Sequence, residues 1–208
     1  MKQVTTINVY LLRHGKTAGL PALYGHTDIG VDDEIQAAIC QNLLAQARSF
    51  SALQTSPLKR CQDLAKRLVS NQTGLSYQIN SQWREISFGD LDGVPFEQAE
   101  HAWPLLEAFW QDPANNPLPG AESLQEFHHR VSLQWQEFCE AAQQDTLIIC
   151  HGGTIRMIIA NVLQLDWRNP TLYSALSIGH QTLTHIQITR AEQLHTRVCS
   201  IGAPLTGQ

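Results

Sequence analysis

Two histidines in this 208-residue chain stand where short apolar runs end. Ile7-Asn8-Val9-Tyr10-Leu11-Leu12 leads into Arg13-His14-Gly15, and Thr146-Leu147-Ile148-Ile149-Cys150 leads into His151-Gly152-Gly153-Thr154. If both runs are strands, each delivers an imidazole to the mouth of a sheet, where open α/β sheets bind ligands. An imidazole there can serve as base, metal ligand or nucleophile. The guanidinium of Arg13 suits phosphate, because its planar fork matches phosphate oxygens. Between the two runs lies Ser56-Pro57-Leu58-Lys59-Arg60. Ser56 reads as an N-cap and Pro57 as the first helical residue, which puts Arg60 in the first turn, where free backbone N–H groups already favour an anion. Each residue also has a plainer reading: His14 as a satisfied core histidine, Arg60 as a solvated helix residue beside Lys59, Lys66 and Arg67.

The elements that must hold these groups follow from periodicity. Asp33 to Ala47 reads as a helix with Ile35, Ile39, Leu43 and Leu44 on one face. Ala52 to Thr55 and Tyr77 to Ile79 read as short strands, with a helix from Pro57 to Val69 between them. A helical pattern begins at Ile155, and Ser123 starts a long helix that Glu126 can cap in S-x-x-E fashion. Gln181 to Ile188 and His195 to Ser200 close the chain as strands. From Phe88 to Gly120 the pattern loosens into short helical segments and the turn Asp112-Pro113-Ala114-Asn115-Asn116-Pro117. The expectation is one α/β domain over residues 1–208: a three-layer αβα sandwich with a mainly parallel central sheet and a helical insertion, about 88–120, over its carboxyl edge.

Composition narrows the function classes. The net charge of −5 comes without a basic run or basic-aromatic interleaving, which argues against nucleic acid as a partner. No apolar stretch is long enough to span a bilayer, and the first residues lack a signal layout, so a cytoplasmic protein without a membrane partner is expected. Five scattered cysteines without a CxxC pair read as reduced thiols, Cys150 among them as a small core residue.

Leu12-Arg13-His14-Gly15-Lys16-Thr17, Ser56-Pro57-Leu58-Lys59-Arg60, Glu85 within Trp83-Arg84-Glu85-Ile86-Ser87-Phe88-Gly89, and His151-Gly152-Gly153 resemble, in order, the motifs of the histidine phosphatase superfamily, which holds cofactor-dependent phosphoglycerate mutases and many phosphatases. Leu23-Tyr24-Gly25-His26-Thr27-Asp28 and Phe88-Gly89-Asp90-Leu91-Asp92-Gly93 look most like alpha-ribazole phosphatases, which act in assembly of the cobalamin nucleotide loop. The resemblance implies a metal-independent, cofactor-free phosphomonoesterase acting on a small molecule through a phosphohistidine. His14 would attack through its ring nitrogen farther from the backbone, with the other nitrogen donating to a fixed acceptor, a backbone carbonyl. Arg13, Arg60 and a cationic His151 would surround the phosphoryl oxygens. Glu85 would protonate the leaving alkoxide and then take a proton from water; Asp90 and Asp92 stand close enough to compete for that role. Thr17 would bond phosphate or the loop backbone.

Gly25, His26 and Trp103 are candidates for the substrate pocket; Trp103, Phe109 and Trp110 would either stack on a base-like leaving group or pack the insertion itself. His101, His128, His129, His180, His185 and His195 default to surface positions. The chain also departs from the family pattern. Lys16 replaces a frequent acidic residue, and Leu20 stands where many mutases carry asparagine. The glycine usual before the helix after Gly30 is missing. The basic cluster that mutases carry after the glutamate is missing too, and Gly89-Asp90-Leu91-Asp92-Gly93 suggests an acidic mouth that would repel doubly phosphorylated substrates. A broad-specificity phosphatase, a mutase-like enzyme and a catalytically silent phospho-ligand binding module stay open as alternatives, as does a homodimer.

Overall fold

The computed structural model describes residues 4–46 and 49–205. Its element order is β1 (Thr5–Arg13), α1 (Asp33–Ala45), β2 (Ala52–Thr55), α2 (Lys59–Asn71), β3 (Tyr77–Ile79), α3 (Trp103–Gln111), α4 (Leu124–Ala141), β4 (Thr146–Cys150), α5 (Gly152–Leu163), α6 (Thr171–Ser174), β5 (Thr182–Arg190) and β6 (Leu194–Pro204), with short 3₁₀ turns between β3 and α3. The six strands form one sheet in the order β3-β2-β4-β1-β5-β6. β3, β2, β4 and β1 run parallel; β5 pairs antiparallel with β1, and β6 antiparallel with β5.

Strand alternation sorts the core into two layers, because successive side chains point to opposite faces. Ile7, Val9 and Leu11 of β1, with Ile148 and Cys150 of β4, pack under Phe127, Val131 and Trp135 of α4 and Ile155 and Ile158 of α5. Tyr10 and Leu12, with Leu147 and Ile149, face Ile39 and Leu43 of α1 and Leu64 and Leu68 of α2. The expected three-layer arrangement with a mostly parallel sheet is therefore present. Residues between 88 and 120 carry a small core of their own, Leu91, Ala99, Ala102, Leu106 and Leu118, which Leu23 and Phe88 join from below.

Local rules explain the boundaries. The Ser123 hydroxyl accepts from Glu126 N while the Glu126 carboxylate accepts from Ser123 N, the reciprocal capping box expected for α4. Asp33 and Glu34 place carboxylates in the first turn of α1, where the helix dipole favours them. The helix ends at Ala45, short of the expected extension, because Gln46 at its C-cap is extended; Ala47 lies outside the described residues. α2 starts two residues later than Pro57, after an extended Leu58. The Ser56 hydroxyl accepts from Leu58 N at 3.4 Å and lies 2.8 Å from His151 Nε2, so it holds the turn ahead of the helix, whose N-cap residue is Leu58. α5 starts at Gly152 rather than Ile155, which makes His151 its N-cap residue. Among the described residues no helix is long and apolar enough to cross a membrane. The five cysteines are unpaired, Cys199 exposed and the other four buried.

Candidate active site

Three neighbouring strand ends assemble the site. β1 pairs with β4 so that Arg13 lies opposite Cys150, and His14 N donates to Cys150 O at 3.2 Å. On the other side of β4, Ser56 N donates to Ile149 O at 3.0 Å. Sheet register thus sets His14, His151 and the Ser56–Arg60 turn side by side at the carboxyl edge. The rings of His14 and His151 stand 5.1 Å apart, edge to face.

His14 is 5% exposed. Its Nδ1 sits 2.7 Å from the Gly15 carbonyl, which can only accept, so the proton is on Nδ1 and Nε2 keeps its lone pair. Burial first, then the nearby Arg60 guanidinium, push the ring well below the ordinary 6.5. A neutral, oriented imidazole with a free Nε2 is the form a nucleophile requires.

Arg60 is fully buried. Its Nε donates to His151 Nδ1 (3.2 Å), Nη1 to Thr27 O (2.9 Å), and Nη2 to Tyr24 O (3.0 Å) and Gly25 O (2.6 Å). Of the five N–H groups of a guanidinium, these bonds leave one, on Nη1. His151 accepts from Arg60 at Nδ1, so its proton is on Nε2, facing Ser56 Oγ. Burial, followed by Arg60, holds its pKa well below 6.5. The structure therefore holds His151 as a neutral bridge. The expected cationic form would need a proton on Nδ1, where Arg60 Nε–H already donates; the neutral ring can instead donate Nε2–H to a phosphoryl oxygen in place of Ser56.

Glu85 meets the N-terminus of α5: Oε2 accepts from Gly153 N at 2.9 Å and Oε1 from its neighbour Ile86 N at 3.0 Å. A side chain at Gly153 would put its Cβ 2.2 Å from Glu85 Oε1, so the second glycine of the motif makes room for the carboxylate. Glu85 also borders the cavity over His14, of about 480 Å³, together with Arg13, Lys16, Thr17, Tyr24, Arg156 and His180.

The remaining sequence candidates fall differently. Thr17 lines the cavity. Gly25 and His26 are absent from its wall. Gly25 passes so close to Asp92 and the Ile86 carbonyl that a Cβ would lie 2.4 and 2.1 Å from them, and His26 Nε2 turns to the Glu85 carbonyl at 3.0 Å. Trp103 packs edge-on against Phe96 and Trp110, away from the cavities that Glu85 borders. Phe109 and Trp110 instead line an apolar chamber of about 330 Å³ with Leu23, Ile86, Phe88 and Phe127.

The acidic mouth is also corrected. Asp92 folds inward, its carboxylate accepting from the backbone N–H groups of Gly25, His26, Thr27 and Phe88. Burial opposes that charge, yet these bonds hold its pKa below the ordinary value. Asp90 is exposed and borders neither cavity. The cavity over His14 is lined by Arg13, Lys16 and Arg156, so electrostatic repulsion of anionic substrates no longer follows.

Two residues escaped the sequence reading. His180 is exposed, as expected, yet its ring lies 5.5 Å from that of His14 and its Nε2 is 3.0 Å from Arg13 Nη2. Since the arginine can only donate, His180 accepts at Nε2; burial and Arg13 push its pKa down to about 4. Arg156 enters the cavity from α5. Among the described residues, none of Arg13, Arg60 and Arg156 forms an ion pair. Buried Arg60 and half-buried Arg13, without carboxylate partners beside the neutral His14, fit an anion site.

Three histidines held neutral give a pH signature. The unfolded chain binds their protons below about pH 6.5, and the folded chain resists doing so, so their contribution to stability is present above that value and is lost as pH falls toward the lowered pKa values. The urea midpoint is expected to drop between about pH 7.5 and about pH 5, a window in which ordinary carboxylates stay ionised. An unchanged midpoint would contradict this account of the site.

A model of the histidine phosphatase superfamily, branch 1, matches residues 9–199. The chain belongs to this superfamily, whose members are phosphatases and mutases. It is 31% identical over 162 residues to a 2,3-bisphosphoglycerate-dependent phosphoglycerate mutase of Rhodopseudomonas palustris, covering 72% of this chain and 77% of that one. A candidate phosphoserine phosphatase of Hydrogenobacter thermophilus is 32% identical over 129 residues, covering 59% of this chain and only 60% of that protein's length. Two solved structures share the fold. Mycobacterial glucosyl-3-phosphoglycerate phosphatase superposes with a TM-score of 0.80 at 21% identity, over 96% of this chain and 100% of that one. The alpha-ribazole phosphatase of Shigella flexneri does so with a TM-score of 0.75 at 22% identity, over 97% and 100%.

Proposed function

We propose that this chain is a metal-independent phosphomonoesterase that works through a phosphohistidine at His14 and releases an aromatic, weakly charged alcohol, with alpha-ribazole 5′-phosphate as the first candidate substrate. The observation that carries the substrate class is the apolar chamber, which shares Leu23, Glu85, Phe88 and Arg156 with the cavity over His14. A phosphoryl group at His14 directs its leaving group past Glu85 toward Phe88, Phe109 and Trp110, rings suited to stacking on a planar heterocycle. The likeness to an alpha-ribazole phosphatase structure agrees with this choice.

The chemistry divides into two transfers. His14 Nε2 attacks phosphorus, the ester P–O bond breaks, and Glu85 supplies a proton to the departing alkoxide. Water then attacks the phosphohistidine, giving its proton to Glu85 and freeing His14 and inorganic phosphate. Arg13, the spare N–H of Arg60, and His151 once released from Ser56 hold the phosphoryl oxygens through both steps. A broader reading, a phosphatase of many small molecules or a mutase-like enzyme, draws on Lys16 and Arg156, cations that suit an acidic leaving group.

Phosphate release from a panel of monophosphates, with chelator present, separates these readings. Strong preference for alpha-ribazole 5′-phosphate supports the first; even turnover supports the broad phosphatase, and phosphoryl transfer without release a mutase. In the same assay Glu85→Gln is expected to slow alkyl phosphates about 10²- to 10³-fold and activated aryl phosphates by less than about tenfold, since only poor leaving groups need the proton. Equal losses on both would remove Glu85 as the acid.

A further inference from the structure

One cation stands between the two cavities. Arg156, on the second turn of α5, borders both the cavity over His14 and the aromatic chamber, whereas Arg13 borders only the former. Its Nε and Nη2 donate to the Leu176 carbonyl at 3.2 and 3.0 Å, which fixes the plane of the guanidinium. Nη1 points back toward Gly152, where a Cβ would lie 3.3 Å from Arg156 Nη1 and 3.3 Å from Arg13 Nε. The two guanidiniums are thus neighbours across a glycine, one over the nucleophile and one at the bend into the chamber. Among the described residues Arg156 has no ion-pair partner, although it is half-buried.

We infer that Arg156 is a specificity-determining residue that holds an oxygen of the leaving group next to the ester, such as a ribose ring or hydroxyl oxygen, and does not hold the transferring phosphoryl group. This rests on the proposed phosphomonoesterase reading and deepens it. The argument is positional. A group that borders both cavities and is pinned by a backbone carbonyl through Nε and one N–H of Nη2 keeps its other N–H groups, two on Nη1 and one on Nη2, for whatever crosses the bend. Apolar rings line the chamber beyond, so the last polar atoms of a substrate must find partners at the bend or be buried without them, at a substantial cost. Glu85, the other polar group common to both walls, is occupied with the ester oxygen in the proposed proton transfer, which leaves Arg156 as the donor for the oxygen beyond it. Preorganisation by Leu176 lowers the entropy lost when the contact forms.

Arg156→Met and Arg156→Lys test this with three esters: alpha-ribazole 5′-phosphate and adenosine 5′-monophosphate, which carry ribose, and phenyl phosphate, which has no oxygen beyond the ester. Arg156→Met is expected to lower kcat/KM at least about tenfold for the ribose esters, mainly through KM, and by less than about threefold for phenyl phosphate, with inhibition by vanadate unchanged. Arg156→Lys keeps the charge and recovers part of the loss. Equal losses on all three esters with weaker vanadate inhibition would overturn the inference and place Arg156 in the phosphoryl clamp. No loss on any ester would overturn it too, as would wild-type turnover of phenyl phosphate with neither ribose ester accepted. Thermal melting of both variants identifies a folding defect, in which case the lysine variant carries the comparison. Failure of the underlying reading has a different signature: no ester is turned over faster by wild type than by His14→Ala.

Discussion

Replacing His14 with alanine is expected to lower turnover of every phosphomonoester by at least about 10⁴-fold while the protein stays folded. The imidazole contributes the only group at the centre of the site whose lone pair is both free and oriented, because the Gly15 carbonyl takes the proton of the other nitrogen. Residual activity would come from the arginines alone, which position phosphate without providing a covalent route. His14→Asn can keep a hydrogen bond to the backbone and still lacks the ring nitrogen, so it is expected to be as inactive as the alanine variant. Substantial activity in either variant would mean that the reaction does not pass through His14. The measurement is initial-rate phosphate release on alkyl and aryl esters, with circular dichroism to establish that the fold is retained.

The second large effect belongs to Arg60, and it is double. Arg60→Ala is expected to cut turnover at least about 10³-fold on all substrates alike and to destabilise the fold by about 2–4 kcal/mol. The stability loss follows from what the guanidinium now satisfies: the carbonyls of Tyr24, Gly25 and Thr27, and Nδ1 of His151. Removing the donors leaves several buried acceptors without partners, partly offset by relief from burying a charge. The loop from Tyr24 to Thr27 is then held mainly by Asp92, which binds its backbone N–H groups from the other side. Urea denaturation and the substrate panel read the two effects separately. Lost activity with unchanged stability would mean that the loop contacts are incidental; lost stability with normal activity in the folded fraction would remove Arg60 from the phosphoryl site.

Much of this was readable before the structure because it is local. Each histidine follows an apolar run that alternates between two cores, and both runs became neighbouring parallel strands, so two separate motifs met at one edge. The long helix announced its start through Ser123 and Glu126. The remainder depended on tertiary packing. His180 precedes β5, and it reaches Arg13 only because β5 pairs antiparallel with β1, which no spacing in the sequence states. Arg156 carried a usable signal: it lies five residues after His151, and helix side chains lean toward the N-terminus, back toward the site. The acidic turn departs from its sequence pattern for a chemical reason. Aspartates in turns commonly bind nearby backbone N–H groups, and Asp92 does so instead of facing the cavity. Trp103 and Trp110 are two helical turns apart and share a face, yet the docking of α3 brings only Trp110, with Phe109, to the chamber wall.

The central claim is a covalent phosphoryl group on one nitrogen of His14. The direct test is to mix enzyme with a phosphomonoester in the presence of chelator, quench within the first turnover under conditions that preserve phosphohistidine, and locate the phosphoryl group by peptide mass spectrometry. The account predicts a transient phosphoryl mass on the peptide containing His14, formed faster than steady-state turnover and missing from the His14→Ala variant. Phosphate released in the first turnover with no protein-bound phosphoryl group, or with that group on another residue, would contradict it.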